Sequence, residues 1–187
     1  PVEGTDGAQG HARKFVTSDP EKFFYADQYG NPENWKAHFH TTADEILRQT
    51  DGAITHYVAA LGTSGSFCGT AKKLRAVNPD IRLISLQPDG PMHAIEGWKH
   101  METAAIVPKI YDAAIADESE IVSTEEALEM VVQVAKSQGL LISPSSAGNL
   151  VGALKVAQKL SQGTVVTILP DSAERYGEIL QELFKAN

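Results

Sequence analysis

The residues best suited to chemistry fall in three short runs. The first is Gly62-Thr63-Ser64-Gly65-Ser66, between an apolar run and a helical pattern. Glycines at such a junction let several backbone N–H groups converge on one anion. The start of a helix adds partial positive charge, and the Thr and Ser hydroxyls can donate as well. A phosphate group suits that arrangement. A plain strand-to-helix turn uses the same residue types, so the pattern alone leaves both readings open. Its glycine spacing is not that of a dinucleotide fingerprint, and no Lys-Ser or Lys-Thr follows as in a Walker loop. The second run, Ser143-Pro144-Ser145-Ser146-Ala147-Gly148, also precedes a helix, and a serine N-cap would account for it equally. The third, Pro170-Asp171-Ser172-Ala173-Glu174-Arg175-Tyr176, puts polar residues where a strand ends, or else starts a capped helix with a surface Glu–Arg pair.

Other residue types offer less. His38 and His40 are two apart without a third ligand at metal spacing, and His11, His56, His93 and His100 are scattered, so no metal site is expected. Cys68, the single cysteine, follows the glycine run and reads as a small packed hydrophobe. Its loop-to-helix setting could lower the thiol pKa, which leaves a reactive thiol as a lesser alternative. With one cysteine no intrachain disulfide can form.

These runs need a scaffold, and the chain supplies alternating strands and helices. Phe23–Ala26 reads as a short aromatic strand. Thr42 to about Thr50 reads as a helix opened by a capping box, with Thr42 at the N-cap and Glu45 three residues on. Apolar strands are expected at 54–61, 81–86 and 164–169, with a short one at 121–123. Helices follow at about 66–77, 124–138, 145–160 and 174–184, the second with Ala127, Leu128, Val131, Val134 and Ala135 on one stripe. This order implies an α/β fold of three layers, a mostly parallel sheet with helices on both faces, in one domain spanning 1–187. Ligands of such sheets sit at the carboxyl ends of the strands, where all three runs lie.

The formal net charge of −8, with no basic cluster, argues against nucleic acid and anionic membranes as partners. No apolar run approaches the roughly 20 residues that span a bilayer. The cytoplasm is the expected compartment. The first residue is Pro1 rather than Met, which reads as a processed or truncated start.

Together the runs resemble the cysteine synthases and cystathionine β-synthases, the β-family of pyridoxal-phosphate enzymes. Gly62-Thr63-Ser64-Gly65-Ser66 matches that family's phosphate loop. Asp27-Gln28-Tyr29-Gly30-Asn31-Pro32-Glu33-Asn34, followed by Ala37-His38 and Thr41-Thr42, resembles its segment leading into the large-domain helix. Pro170 to Tyr176 resembles its P-D-S-G-E-R-Y. The match is collinear from about Glu3 to Tyr176. The resemblance implies the large-domain part of the tryptophan-synthase-β-like fold, with pyridoxal 5′-phosphate as cofactor. Gly62, Thr63, Ser64, Gly65 and Ser66 would bind its phosphate. Ser145 would meet the pyridine nitrogen, leaving the ring unprotonated. Gln28 would help hold the substrate carboxylate, and Gly97 would line the mouth of the site.

The resemblance also implies a reaction, β-replacement on O-acetylserine or another activated serine by sulfide or another sulfur donor, in a homodimeric enzyme. The sequence departs from the pattern in places. Ser143 to Ala147 stands for G-I-S-S-G, Ala173 replaces a glycine, and Trp98-Lys99-His100-Met101 follows Gly97 where sulfide-using members carry more glycines. That last segment resembles the M-type branch. The family's Schiff-base lysine and substrate loop precede the matching segment, and Lys14, Lys22, Lys36, Lys72, Lys73 and the other lysines read as solvated. The chain is therefore expected to be inactive alone, with an N-terminal half as its partner. The rival expectation is a non-catalytic domain that binds a phosphate-bearing ligand or a partner's tail.

Overall fold

The computed structural model describes residues 4–186. The elements in chain order are α1 (Gly4–Ser18), α2 (Glu33–His40), α3 (Thr42–Gln49), β1 (His56–Ala60), α4 (Gly65–Val77), β2 (Arg82–Pro88), β3 (Glu118–Val122), α5 (Thr124–Gln138), α6 (Pro144–Ala157), β4 (Val165–Thr167) and α7 (Gly177–Ala186). A 3-10 turn, Ala173–Tyr176, leads into α7. The four strands form one sheet in the order β3-β2-β1-β4, and every neighbouring pair is parallel.

Side chains alternate across β1 and β2, and this divides the core in two. Tyr57, Ala59 and Leu83 pack with Phe67, Cys68, Ala71 and Leu74 of α4 on one face. Val58, Ile84, Leu86 and Val122 pack with Ala127 of α5 and Val151, Ala153 and Val156 of α6 on the other. Helices thus cover both faces, as the alternating pattern requires. On the α4 side, α2 and α3 form a further layer of cover. Glycine sets how close it comes: a Cβ at Gly69 would lie 2.1 Å from the carbonyl oxygen of Trp35.

Several local expectations change. Phe23–Ala26 is not a strand but an irregular segment. Phe24 is 92% exposed, and Phe23 packs edge-on against Phe15 of α1, so aromatic content there serves no sheet pairing. The box at Thr42 does not form. Thr41 is the N-cap of α3 and makes no side-chain cap. Its hydroxyl donates to the Ala37 carbonyl, while the Thr42 hydroxyl is 2.9 Å from His38 Nδ1, because α2 runs almost directly into α3. A full capping box forms instead at Ser123 and Glu126, at the start of α5. The helices α1 and α2 come in addition to those expected from the sequence, and α6 starts at Pro144, one residue before the expected Ser145.

Candidate functional site

At the carboxyl end of β1, the Leu61 N–H donates to the Leu86 carbonyl and the Lys99 N–H donates to the Leu61 carbonyl. The strand end is thereby tied to the segment after β2. Gly62 makes this contact possible, since a Cβ there would lie 2.2 Å from the Gly97 carbonyl oxygen. Gly97 itself has a φ of 85°, a left-handed conformation that only glycine adopts without strain.

The next turn is held by a side chain that sequence reasoning did not single out. Asn34 Nδ2 donates to the Gln28 carbonyl at 2.6 Å and to Thr63 Oγ1 at 3.2 Å. Thr63 Oγ1 also accepts from the Gly65 N–H. A Cβ at Gly65 would meet Asn34 Oδ1 at 1.9 Å, so the absence of a side chain is what lets Asn34 pin the Gln28 turn to the glycine run. Ser64 takes φ 68° at the N-cap of α4 and is 1% exposed. Its hydroxyl is buried and makes no hydrogen bond among the described residues. Cys68, on α4, is fully buried in the core, as expected of a small packed hydrophobe, and that burial pushes its thiol pKa up.

The second and third runs meet across the carboxyl end of β4. Ser143 is the N-cap of α6, accepting from the Ser146 N–H, and Pro144 occupies the first helical turn, where its fixed φ and missing N–H cost nothing. The proline therefore organises the approach to Ser145. Asp171 gathers this cluster. The Ser143 hydroxyl makes a close hydrogen bond to Asp171 Oδ1, Ser145 Oγ lies 3.2 Å from the same oxygen, and Tyr176 OH donates to Oδ2 at 3.1 Å. The Ser146 hydroxyl donates to the Asp171 carbonyl at 2.9 Å. Burial and the Asp171 carboxylate both push the Tyr176 phenol pKa up.

Asn149, 2% exposed, joins the two strand ends. Its Oδ1 accepts from the Ala60 N–H and its Nδ2 donates to the Ile168 carbonyl. The strands β1 and β4 part after the Val58–Thr167 pair, and this amide occupies the gap where ladder bonds end.

These loops bound a cleft of about 1250 Å³. Gln28, Gly62, Thr63, Ser66, Gly97 and Ser145 line it, together with Asn149, Asp171 and Tyr176. Of the expected site residues, Ser64 and Gly65 stand behind this lining. Lys99 corrects the expectation that the lysines are solvated. It lines the cleft, its side chain is 13% exposed, and it pairs with Asp6 of α1 at 2.6 Å. Lys72 and Lys73 are half-buried too, Lys72 over the Trp35 ring and Lys73 beside Asp44. His93, also on the lining, has its pKa lowered chiefly by burial. The arrangement offers backbone amides and hydroxyls for an anion at one end and a hydroxyl–carboxylate cluster at the other.

Residues 2–171 match the family model described as pyridoxal-phosphate dependent enzyme. The chain is 43% identical over 180 residues to a cysteine synthase of Aquifex aeolicus, covering 94% of this chain and 55% of that protein. Among solved structures, an O-acetylserine dependent cystathionine beta-synthase from Helicobacter pylori superposes with a TM-score of 0.85 at 36% identity, over 94% of this chain and 58% of that one. A cysteine synthase from Entamoeba histolytica superposes with a TM-score of 0.86 at 33% identity, over 98% of this chain and 56% of that one. The chain thus spans somewhat more than half the length of these relatives.

Proposed function

This chain belongs to the family of pyridoxal-phosphate dependent enzymes, and from that premise we propose that it forms the cofactor-holding part of a cysteine synthase. The observation that carries the proposal is the meeting of Gly62, Thr63, Ser66, Gly97 and Ser145 on one cleft at the carboxyl end of a parallel sheet. The cradle suits a phosphorylated ring. Gly62 and Gly65 let the run close tightly against Gly97 and Asn34, and the start of a helix leaves first-turn amides without intrahelical partners.

When bound, pyridoxal phosphate supplies the electron sink that loosens bonds at the substrate's α- and β-carbons. The chain's residues bind and orient. Thr63 and Ser66, with the amides of the glycine run that reach the cleft, would hold the 5′-phosphate, Ser145 would meet the ring nitrogen, Gln28 would hold the substrate carboxylate, and Gly97 would shape the mouth. The reaction is β-replacement on O-acetylserine, or another activated serine, by sulfide or another sulfur nucleophile. The likeness to the Helicobacter protein favours a second reading, a cystathionine β-synthase-type enzyme.

No lysine of the chain stands in the sequence context of the family's Schiff-base lysine. In this proposal residues 1–187 are one cofactor-binding domain, inactive alone, that works with the remaining length found in its relatives, in a cytoplasmic homodimer. Calorimetric titration with inorganic phosphate and with pyridoxal phosphate tests the cradle. Ser66→Asp places a carboxylate on the lining at the start of α4 and should abolish both affinities. Undiminished binding by that variant would remove the glycine run from the site. Cysteine formation from O-acetylserine and sulfide by the chain alone would refute its proposed inactivity.

A further inference from the structure

One histidine on the cleft has its two ring nitrogens told apart by the backbone. The Ile95 N–H donates to His93 Nδ1 at 3.2 Å. A backbone N–H can only donate, so Nδ1 must present a lone pair, and the neutral ring holds its proton on Nε2. His100, on the same lining, differs. Its Nδ1 lies 2.8 Å from the Thr103 hydroxyl, which can donate or accept and so fixes neither tautomer. The backbone beside His93 is firmly placed as well. The Ala94 N–H donates to Thr124 Oγ1 at 3.0 Å, at the start of α5, and Ile95 is fully buried. The His93 ring is half-buried on the cleft wall, and its Nε2 has no hydrogen bond among the described residues.

We infer that His93 is a further substrate-binding residue of the proposed reaction, a neutral imidazole whose Nε2–H donates to the acyl oxygen of the group that the activated serine loses. The inference rests on the reading of the cleft given above. Gln28, which that reading assigns to the amino acid's own carboxylate, stands on the turn that Asn34 pins to the glycine run, whereas His93 comes from the segment after β2. Two donors on separate walls suit the two oxygen-bearing ends of such a substrate. The bond from the β-carbon to the ester oxygen breaks with its electron pair on that oxygen, the sulfur nucleophile bonds to the same carbon, and the group departs as a carboxylate. The Nε2 proton stays on the ring. A neutral donor meets the growing charge without gripping the freed anion as a cation would. Asp89 and His100 are the charged or titratable groups that act on this ring, and Glu96, Lys99, Glu174 and Arg175 stand elsewhere on the lining. Acid protonates Nδ1 and sets it against the Ile95 N–H. The arrangement is therefore present above the His93 pKa, which burial lowers, and is lost below it.

The test follows the histidine ring nitrogens of the ¹⁵N-labelled chain by NMR, with the cradle filled by pyridoxine 5′-phosphate, which has no aldehyde and so needs no lysine. Acetate, the group that O-acetylserine loses, is the ligand titrated. At neutral pH and above, His93 should show a bare Nδ1 and a protonated Nε2, and acetate should shift Nε2 saturably. His93→Ala should weaken acetate binding about two- to tenfold, read from the relaxation of ¹³C-labelled acetate. His93→Gln, whose amide can still donate, should recover part of it. His100→Ala should change neither the His93 tautomer nor the affinity, a split that damage to the fold would not produce. A proton on His93 Nδ1, an acetate response that does not saturate, or acetate binding of equal strength in His93→Ala overturns the inference and leaves the proposed cradle intact. Failure of the chain to bind pyridoxine 5′-phosphate overturns the cradle and this role with it.

Discussion

Around the glycine run, single atoms decide what can be changed. Because a Cβ at Gly65 would fall 1.9 Å from Asn34 Oδ1, Gly65→Ala must expel Asn34 from its bonds to Gln28 and Thr63. Overpacking of this kind costs about 1–3 kcal/mol. The variant should unfold at lower urea concentration and bind inorganic phosphate less well, and a wild-type midpoint would show that the Asn34 pin is dispensable. Asn149 is a sharper case. Asn149→Leu keeps the bulk but leaves the half-buried Ala60 N–H and Ile168 carbonyl without their partner, at up to about 1–3 kcal/mol for each group. Its denaturation midpoint should fall further than that of Gly65→Ala. The sequence discloses no role for either asparagine, Asn34 or Asn149. The partners of Asn149 lie 89 and 19 residues away, and no local pattern encodes that meeting.

The apolar stripe of α5 places that helix, but the box that opens it, Ser123 with Glu126, forms where the sequence suggested the end of a strand; Ser123→Ala should cost about 0.5–2 kcal/mol in thermal or chemical denaturation. Thr42→Ala should cost clearly less, because the same sequence signal at Thr42 lost its hydroxyl to His38. That contrast explains which parts were legible. The parallel sheet, both covering faces and the glycine run follow from periodicity and turn residues. The helices α1 and α2 do not, since α2 has no buried residue and so no apolar stripe to betray it. The pairing of β2 with β3 carries a pH signature. Burial alone would raise the Asp117 carboxyl pKa. Hydrogen bonds from the Leu83 N–H at 2.8 Å and Arg75 at 2.7 Å outweigh it and hold the pKa below the ordinary carboxylate value. The stability this contributes is present above the unfolded-state pKa and is lost as pH falls from there through the depressed folded value. Asp117→Asn should flatten that acid-side loss in a series of denaturation curves; an unchanged slope would mean that other carboxylates dominate.

For the molecule as a whole, the unfinished part is one edge of the sheet. Among the described residues β4 has only three residues, pairs on one side only, with β1, and is followed by Leu169 at 51% exposure. Leu140 and Leu141 are each 56% exposed beside the strand-end cluster. Parallel strands are normally covered on both faces and their edges invite pairing. Each apolar side chain left in water forgoes roughly 1.5–3 kcal/mol, against a total stability of about 5–15 kcal/mol. Sedimentation of the isolated chain over a range of concentrations should therefore show self-association, with binding of a dye that reports apolar surface. A monodisperse monomer that unfolds cooperatively and leaves the dye dark would show that the chain closes its own core.

The Asn149 bridge has a further consequence, for time rather than for energy. The amide hydrogen of Ala60 is shielded not by a neighbouring strand but by a side chain on α6. It can trade with solvent deuterium only when that helix lifts from the sheet, whereas the neighbouring amides of β1 wait for the ladder itself to open. The exchange clock of this one hydrogen, set against that of Val58, should count the separate departures of α6 and so register how often the Ser145 end of the cleft comes apart while the sheet stays whole.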